Sequence, residues 1–254
     1  MIIKKAPSLG LGLGLSLGLG GINKGFDPRD YSGLATWFDG TDADSFGIRA
    51  PNWVTSWTDV LGFSVYQVVE ANQFSYLGSN KIFGAGSSQN LISALDFDVF
   101  DGLNSYTIIL LARFLAADAP YSIFSLTDAS SQHGVLVESS ATNQLRFLHR
   151  FPYTGGGNSF ITVGGNVDTN STQVMICKRD AVAGTHSISI DGTEESQALV
   201  GSGFDSALSR LTIGSLLQTG GRWFFGYLNQ LLIYNRALNS TELSYLTTFL
   251  NSKK

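Results

Sequence analysis

The feature that most constrains this chain is a succession of short apolar, β-branched and aromatic runs, each closed by Gly, Asn, Asp or Ser. They fall at positions 90–95, 106–114, 122–126, 135–138, 144–151, 160–163, 172–179, 187–191, 211–214 and 227–234. Runs of this length bounded by turn residues are strands, and so many of them with no recurring period of 20–50 residues predict a β-sandwich rather than a solenoid or propeller. The run at 106–114 (TIILLA in its middle) is nearly continuously apolar, which predicts a strand covered on both faces. Gly78 to Asn90 is rich in Gly, Ser and Asn and reads as loop. Trp37, Trp53 and Trp57 are close enough in sequence to form one aromatic cluster, with Trp37 and Trp57 inside.

One helix closes the chain. After the strand at 227–234, Asn235-Arg236-Ala237 turns, Asn239 stands at a cap position and Glu242 follows three residues later, the spacing of a capping box. Leu238 and Leu243 occupy the positions of a hydrophobic staple. Leu243, Leu246 and Leu250 then repeat at helical spacing. A helix this short is marginal by itself, so its apolar face should lie on the sandwich.

These residues carry a resemblance. Gly226, Leu228, Leu231, Ile233, Tyr234, Arg236, Leu238, Asn239 and Glu242 resemble the end of a concanavalin A-like, laminin G-like jelly-roll domain. The start is similar too, at Leu34-Ala35-Thr36-Trp37-Phe38-Asp39 and Val54-Thr55-Ser56-Trp57-Thr58-Asp59 before Gly62. Asp191-Gly192 and Leu211-Thr212-Ile213-Gly214 sit where that family has a hairpin turn and its penultimate strand. The resemblance implies an all-β jelly-roll over about residues 30–252. It says little about activity, because such domains serve lectins, glucanases, adhesion modules and virion proteins.

A chain of 254 residues fits one large sandwich and can bury a substantial core. Charged residues make up only 14% of it, against roughly 25% in ordinary soluble domains, so the surface is built from uncharged polar residues and glycine. A net charge of −4 with no Lys/Arg cluster in sequence excludes an electrostatic nucleic-acid footprint. The single cysteine, Cys177, rules out an intrachain disulfide, reads as a buried strand thiol and suits folding in a reducing cytoplasm.

Residues 1–25 are expected to form a separate arm, with 26–254 as the sandwich domain. Leu9, Leu11, Leu13, Leu15, Leu17 and Leu19 alternate with Gly and Ser, a period of two that puts every leucine on one face of an extended strand. A signal peptide is the competing reading, with Lys4 and Lys5 ahead of an apolar run. Glycine at alternate positions disfavours the helix that reading needs, and the run is too short for a membrane span. The arm is expected to dock on a neighbouring subunit or a partner.

The chemistry-bearing residue types are sparse. Retaining glycoside hydrolysis needs two carboxylates about 5 Å apart. None of the five glutamates (Glu70, Glu138, Glu194, Glu195 and Glu242) lies in the Glu-x-Asp-x-(x)-Glu strand of the glucanase branch, and Glu194-Glu195 read as a solvated pair. Asp39, Asp42 and Asp44 in FDGTDADSF are the best metal candidates, for Ca2+, although no Glu closes the loop and such Asp-Gly turns also form without an ion. His133, His149 and His186 have no zinc spacing and read as ordinary surface or strand residues. The Gly-x-Gly-x-Gly of the arm lacks the strand and Lys-Ser/Thr of a phosphate loop. Arg150, Tyr153 and Asn158 around the Gly155-Gly156-Gly157 loop, and Arg222 and Trp223 in QTGGRWF, place aromatic faces and polar groups where a polyol or a partner protein would meet them. No catalytic residues and no cofactor are expected.

Two functions follow. The first is a structural protein of a virus particle: a phage capsid decoration, fibre or tail component, made in the host cytoplasm. It would be held to other virion proteins and to copies of itself by the arm, with a host-surface glycan as a further partner. The alternative is a lectin-like carbohydrate-binding module, secreted or on a bacterial surface.

Overall fold

The computed structural model describes residues 27–78, 81–93, 97, 105–128, 130, 132–140, 143–151, 157–163, 167–199 and 208–254, with strand backbone alone at 151 and 157–163. The expected arm, with Leu9 through Leu19, lies outside the described residues.

Seventeen strands, one α-helix and three single-turn 3-10 helices are present among them. The first seven strands are β1 (Leu34–Asp39), β2 (Phe46–Arg49), β3 (Trp53–Thr58), β4 (Ser64–Tyr66), β5 (Phe74–Tyr76), β6 (Ile82–Ala85) and β7 (Leu91–Ser93). There follow β8 (Tyr106–Phe114), β9 (Ser122–Thr127), β10 (His133–Ser140), β11 (Gln144–Phe151), β12 (Gly157–Val163) and β13 (Gln173–Asp180). The chain finishes with β14 (Thr185–Ile190), β15 (Thr193–Ala198), β16 (Arg210–Ile213), β17 (Phe225–Tyr234) and the helix α1 (Ser240–Asn251). Five strands were not legible: β2, β4, β5 and β15 fall outside the expected runs, and β6 falls in the Gly/Ser/Asn stretch read as loop. Strand β6 forms because Ile82 has a fully buried place against β17 that overrides weak local propensity.

All pairings are antiparallel. One sheet runs β1–β17–β8–β13–β14–β15. The second runs β12–β11–β10–β9–β16–β7–β4–β3–β2. Strands β5 and β6 join them, because β5 pairs with β3 and β6 with the start of β17. This is the all-β sandwich with a short terminal helix that the strand pattern predicts.

The apolar residues divide between two cores. Between the sheets lie Phe38, Trp57, Phe74, Phe114, Phe124, Phe147 and Phe224 with the inward residues of β8, Ile108, Leu110 and Ala112. The intervening residues of β8, Ile109 and Leu111, point the other way and meet Leu246 and Leu250 of α1. The strand is apolar on both faces because one face meets the opposite sheet and the other meets the helix. The three tryptophans do not form one cluster. Trp57 is in the inter-sheet core, stacked on Phe46 at 5.0 Å. Trp37 lies beneath the helix with its ring edge-on to Phe249 at 5.9 Å, and Trp53 is half-buried. Trp37 and Phe38 are adjacent on β1, so strand alternation sends them to opposite faces.

The C-terminal lock forms as its sequence predicts. Asn239 Oδ1 accepts from the Glu242 N–H at 3.0 Å, and Glu242 Oε2 accepts from the Asn239 N–H at 2.9 Å. Arg236 adds a two-pronged pair to the same carboxylate, at 2.9 and 2.7 Å. Its Nε donates to Ser32 O at 2.8 Å and Tyr234 Oη donates to Pro28 O at 2.9 Å, tying the end of the domain to its beginning. Hydrogen bonding and charge from Arg236 hold the Glu242 carboxyl below the usual carboxylate range. Cys177 is buried among apolar neighbours, which pushes its thiol well up and leaves it unreactive.

Candidate functional site

Alternation along the second sheet separates an inward set from an outward one. On β10, Val135 and Val137 enter the core while Leu136 and Glu138 face out; on β11, Leu145 and Phe147 enter while Arg146, Leu148 and Arg150 face out. The outward face continues through Ser125 on β9, Thr212 on β16, Ile92 on β7 and Tyr66 on β4, which are register partners in turn.

A loop of residues 214–224 is folded across this face. Asn90 Nδ2 donates to Ser215 Oγ at 3.1 Å and to Gln218 O at 3.2 Å. Gln218 Nε2 donates to Thr127 Oγ1 at 3.0 Å and Asp128 O at 3.3 Å, and Ser125 Oγ donates to Ser215 O at 3.2 Å. Gly220 takes φ +113° and gives the Trp223 indole its place, since a Cβ there would meet the ring at 2.2 Å. On one side of the loop, Tyr66, Gln67, Val68, Ile92, Ser93, Arg210 and Gln218 line an open cleft of about 300 Å3.

On the other side is a charged cluster. Glu138 is fully buried. Its Oε1 accepts from Arg146 and from Arg222 Nη1 (2.8 Å), and its Oε2 accepts from Arg222 Nη1 (2.9 Å) and Ser122 Oγ (3.1 Å). Both oxygens are thereby committed, which leaves neither free to serve as acid or nucleophile. Arg150 stands four residues beyond Arg146 on the same face. Burial, then the charge of Arg222, pulls its guanidinium below the ordinary arginine value, and Arg146 shifts the same way through burial and both other arginines. His133 at the start of β10 is lowered to about 4, first by burial and then by Arg150, Arg222 and Arg146, so it is neutral at neutral pH.

Of the contact residues expected from sequence, Arg150 and Arg222 come together here, with Trp223 beside Arg222 in the loop. Asn158 is the register partner of Arg150 in β12, and Tyr153 lies outside the described residues. Sequence reasoning missed Glu138, Arg146 and Tyr66. A signal existed: Glu138 and Arg146 are outward positions of one hairpin, but pairing them requires the register.

Two of the three expected calcium residues, Asp39 and Asp42, accept hydrogen bonds within their own turn and from β17. Asp39 Oδ1 accepts from the Thr41 N–H (2.8 Å), Thr41 Oγ1 (2.6 Å) and Gln230, and Asp42 caps the Asp44 N–H at 3.1 Å. Among the described residues no three acidic, His or Cys side chains gather into a metal-binding group. All three histidines lie on strands, one of the two placements expected of them. His149 and His186 are buried, the first against Tyr106 Oη at 2.9 Å and the second against Gln197 Nε2 at 3.0 Å, because both fall on inward strand positions. Glu194 and Glu195 are exposed. Among the described residues no helix is long and apolar enough to cross a membrane.

Known proteins give a consistent picture. No curated protein matches in sequence. Among solved structures, the chain is similar to the receptor-binding domain of botulinum neurotoxin type G (14% identity, 86% of this chain and 51% of that one, TM-score 0.57). It is also similar to the CBM40 of a Ruminococcus gnavus IT-sialidase bound to α2,3-sialyllactose (13% identity, 66% of this chain and 97% of that one, TM-score 0.53). A third is a Trypanosoma rangeli sialidase (13% identity, 88% of this chain, TM-score 0.59), of whose length this chain spans 33%. Of the matched NanB sialidase of Streptococcus pneumoniae it spans 27%. At these identities the likeness is one of fold. The profile of the concanavalin A-like lectin/glucanases superfamily, laminin G type, matches residues 85–244. That span runs from the end of β6 into α1, covers more than half of the chain and takes in the charged cluster and the loop, with Tyr66, Gln67 and Val68 of the cleft before it, so the chain belongs to the concanavalin A-like lectin/glucanases superfamily.

Proposed function

We propose that this protein is a non-catalytic, lectin-like carbohydrate-binding module that takes glycans on the outward face of its second sheet. The observation that carries the reading is the anchored loop at 214–224, which sets an aromatic and amide cleft (Tyr66, Gln218) and an arginine-rich cluster side by side on one face. A tyrosine ring offers the apolar face that a sugar ring covers, while amide and guanidinium donors meet its hydroxyls. The neighbours support this, since one is described as bound to sialyllactose and another, botulinum neurotoxin type C, as entering cells through two ganglioside molecules. Saturation of Glu138 favours binding over hydrolysis. The particle-protein expectation rests on the Leu/Gly arm, outside the described residues, and no feature of the face adds to it.

A glycan array probed with the full chain tests the reading, followed by calorimetry on the best ligand. Binding is expected to weaken at least tenfold in Tyr66→Ala, whose ring is exposed and leaves the fold intact. Absence of any glycan binding at millimolar ligand would sink it.

A further inference from the structure

The cluster on β10, β11 and the loop is unbalanced in charge. Arg146, Arg150 and Arg222 contribute three positive charges and Glu138 one negative, in a chain with only 16 Lys and Arg among 254 residues and a net charge of −4. Among the described residues Glu138 is the sole carboxylate paired with any of the three. It is already saturated by Arg146, Arg222 and Ser122.

Arg150 is the odd member. No ion pair or hydrogen bond joins its side chain to a described residue, and its Nε is buried without an acceptor. The Nε of Arg146 is buried and unpartnered in the same way. A guanidinium N–H that loses water without gaining an acceptor costs stability, and like charges held together cost more. A purely structural cover for the sheet would need neither arrangement, since a neutral side chain at 150 would shield the same strands at lower cost. Arg222 adds a further expense. Its backbone sits at φ +49°, a left-handed conformation unfavourable for a non-glycine residue. The loop bears that cost to bring this guanidinium over Glu138, and Arg222 O accepts from the Ser122 N–H at 2.7 Å to fix it there.

What the three groups lack is an oxyanion. Planar guanidinium forks bind carboxylate and sulfate oxygens through parallel N–H donors, and an anion between Arg150 and its neighbours would relieve the crowding and supply the missing acceptors together. We infer that the Arg146–Arg150–Arg222 cluster is the acidic subsite of the glycan-binding face and takes the oxyanion of a charged sugar. The inference rests on the glycan-binding reading and names its ligand class: a saccharide bearing one carboxylate or sulfate, its neutral remainder lying toward Trp223 and the loop.

The test is calorimetry of the full chain with 3′-sialyllactose, 3′-sulfolactose and lactose, which share a neutral core and differ in the anion. At least one acidic ligand is expected to bind tenfold or more tightly than lactose, and to lose much of that advantage between 50 and 300 mM NaCl. The acidic ligand that binds distinguishes carboxylate from sulfate. Arg150→Gln is the informative variant because Arg150 holds no partner among the described residues: it should bring the acidic ligand down toward the affinity of lactose without lowering the melting temperature. If that variant melts lower, displacement of the acidic ligand from the wild type by 50 mM sodium acetate or sulfate, with lactose undisturbed, decides instead. Equal affinity for acidic and neutral ligands, or a preference that survives Arg150→Gln on a folded chain, overturns the acidic subsite but leaves the module a lectin. Equal binding of an oligo-dT polyanion overturns the sugar assignment in favour of a general anion patch. Failure of all glycans, on the array and here, removes both readings.

Discussion

Arg222 reaches the fully buried carboxylate of Glu138 at 2.8 and 2.9 Å from a backbone held at φ +49°. The pair joins an irregular loop to the middle of a sheet strand, so its removal should be felt in stability as well as in binding. Arg222→Ala removes one of two guanidiniums from a buried acid but keeps the left-handed backbone. Arg222→Gly loses the same pair and relieves that strain. The glycine variant should therefore be the more stable of the two by about 0.5–1 kcal/mol, after allowing for its larger unfolded-state entropy. Denaturant melts of both variants check this, and alanine proving the more stable would contradict it.

Glu138→Gln leaves the arginines facing one another. Because Arg146 and Arg222 are about a third exposed (32% and 37%), the cost should fall below the full penalty of a broken buried pair, at about 2–3 kcal/mol. Added sulfate should recover more stability in this variant than in the wild type, since an anion can stand in for the lost carboxylate. Parallel melts in sulfate and chloride at matched ionic strength measure the difference.

The pH dependence has a definite sign. The His133 pKa is lowered to about 4 in the folded chain, against about 6.5 when unfolded. Below pH 6.5 the unfolded chain therefore binds a proton that the folded chain does not. Stability should decline as pH falls from 6.5 toward 4. Glu242 acts lower: its folded pKa is depressed, so its contribution is present above the ordinary glutamate range and is lost as pH falls through and below it. His133→Asn should flatten the first segment and leave the second, as read from melting temperatures between pH 7 and 3.

The core offers a test of shape. Trp57 is fully buried and its Nε1 has no hydrogen-bond partner. Trp57→Ala should cost about 3–5 kcal/mol, whereas Trp57→Phe loses less volume and removes an unsatisfied donor, so it should cost markedly less. Gly226→Ala should be costly for another reason, because the new methyl would meet the backbone oxygen of Arg113 at 2.0 Å and neither strand can yield. Urea denaturation of the three variants ranks them.

The proposed absence of hydrolysis is tested directly. Prolonged incubation with sialyllactose, laminarin or agar-type oligosaccharides should release neither free sialic acid nor reducing ends. Release abolished by a single Asp or Glu substitution would contradict the binding-only reading.

By itself the sequence determined the elements whose signals are local. The apolar run at 106–114 could only be a strand covered twice, and Asn239, Glu242, Leu238 and Leu243 specify the helix start through neighbours within five residues of one another. Such features are legible because the groups that satisfy them are close in the chain. The tertiary structure decided what depends on register and on distant partners. Strand β6 exists because β17 offers Ile82 a buried place, and Trp37 and Trp57 are parted because Trp37 takes an outward position of β1 beneath the helix while Trp57 takes an inward position of β3 in the inter-sheet core. The candidate site belongs to this second kind. Arg150 and Arg222 are suggestive in sequence, but Glu138 meets Arg146 only through the β10–β11 hairpin and Arg222 only through a loop from some eighty residues later. A charge cluster is a sum over space, and only the fold brings its terms within range of one another.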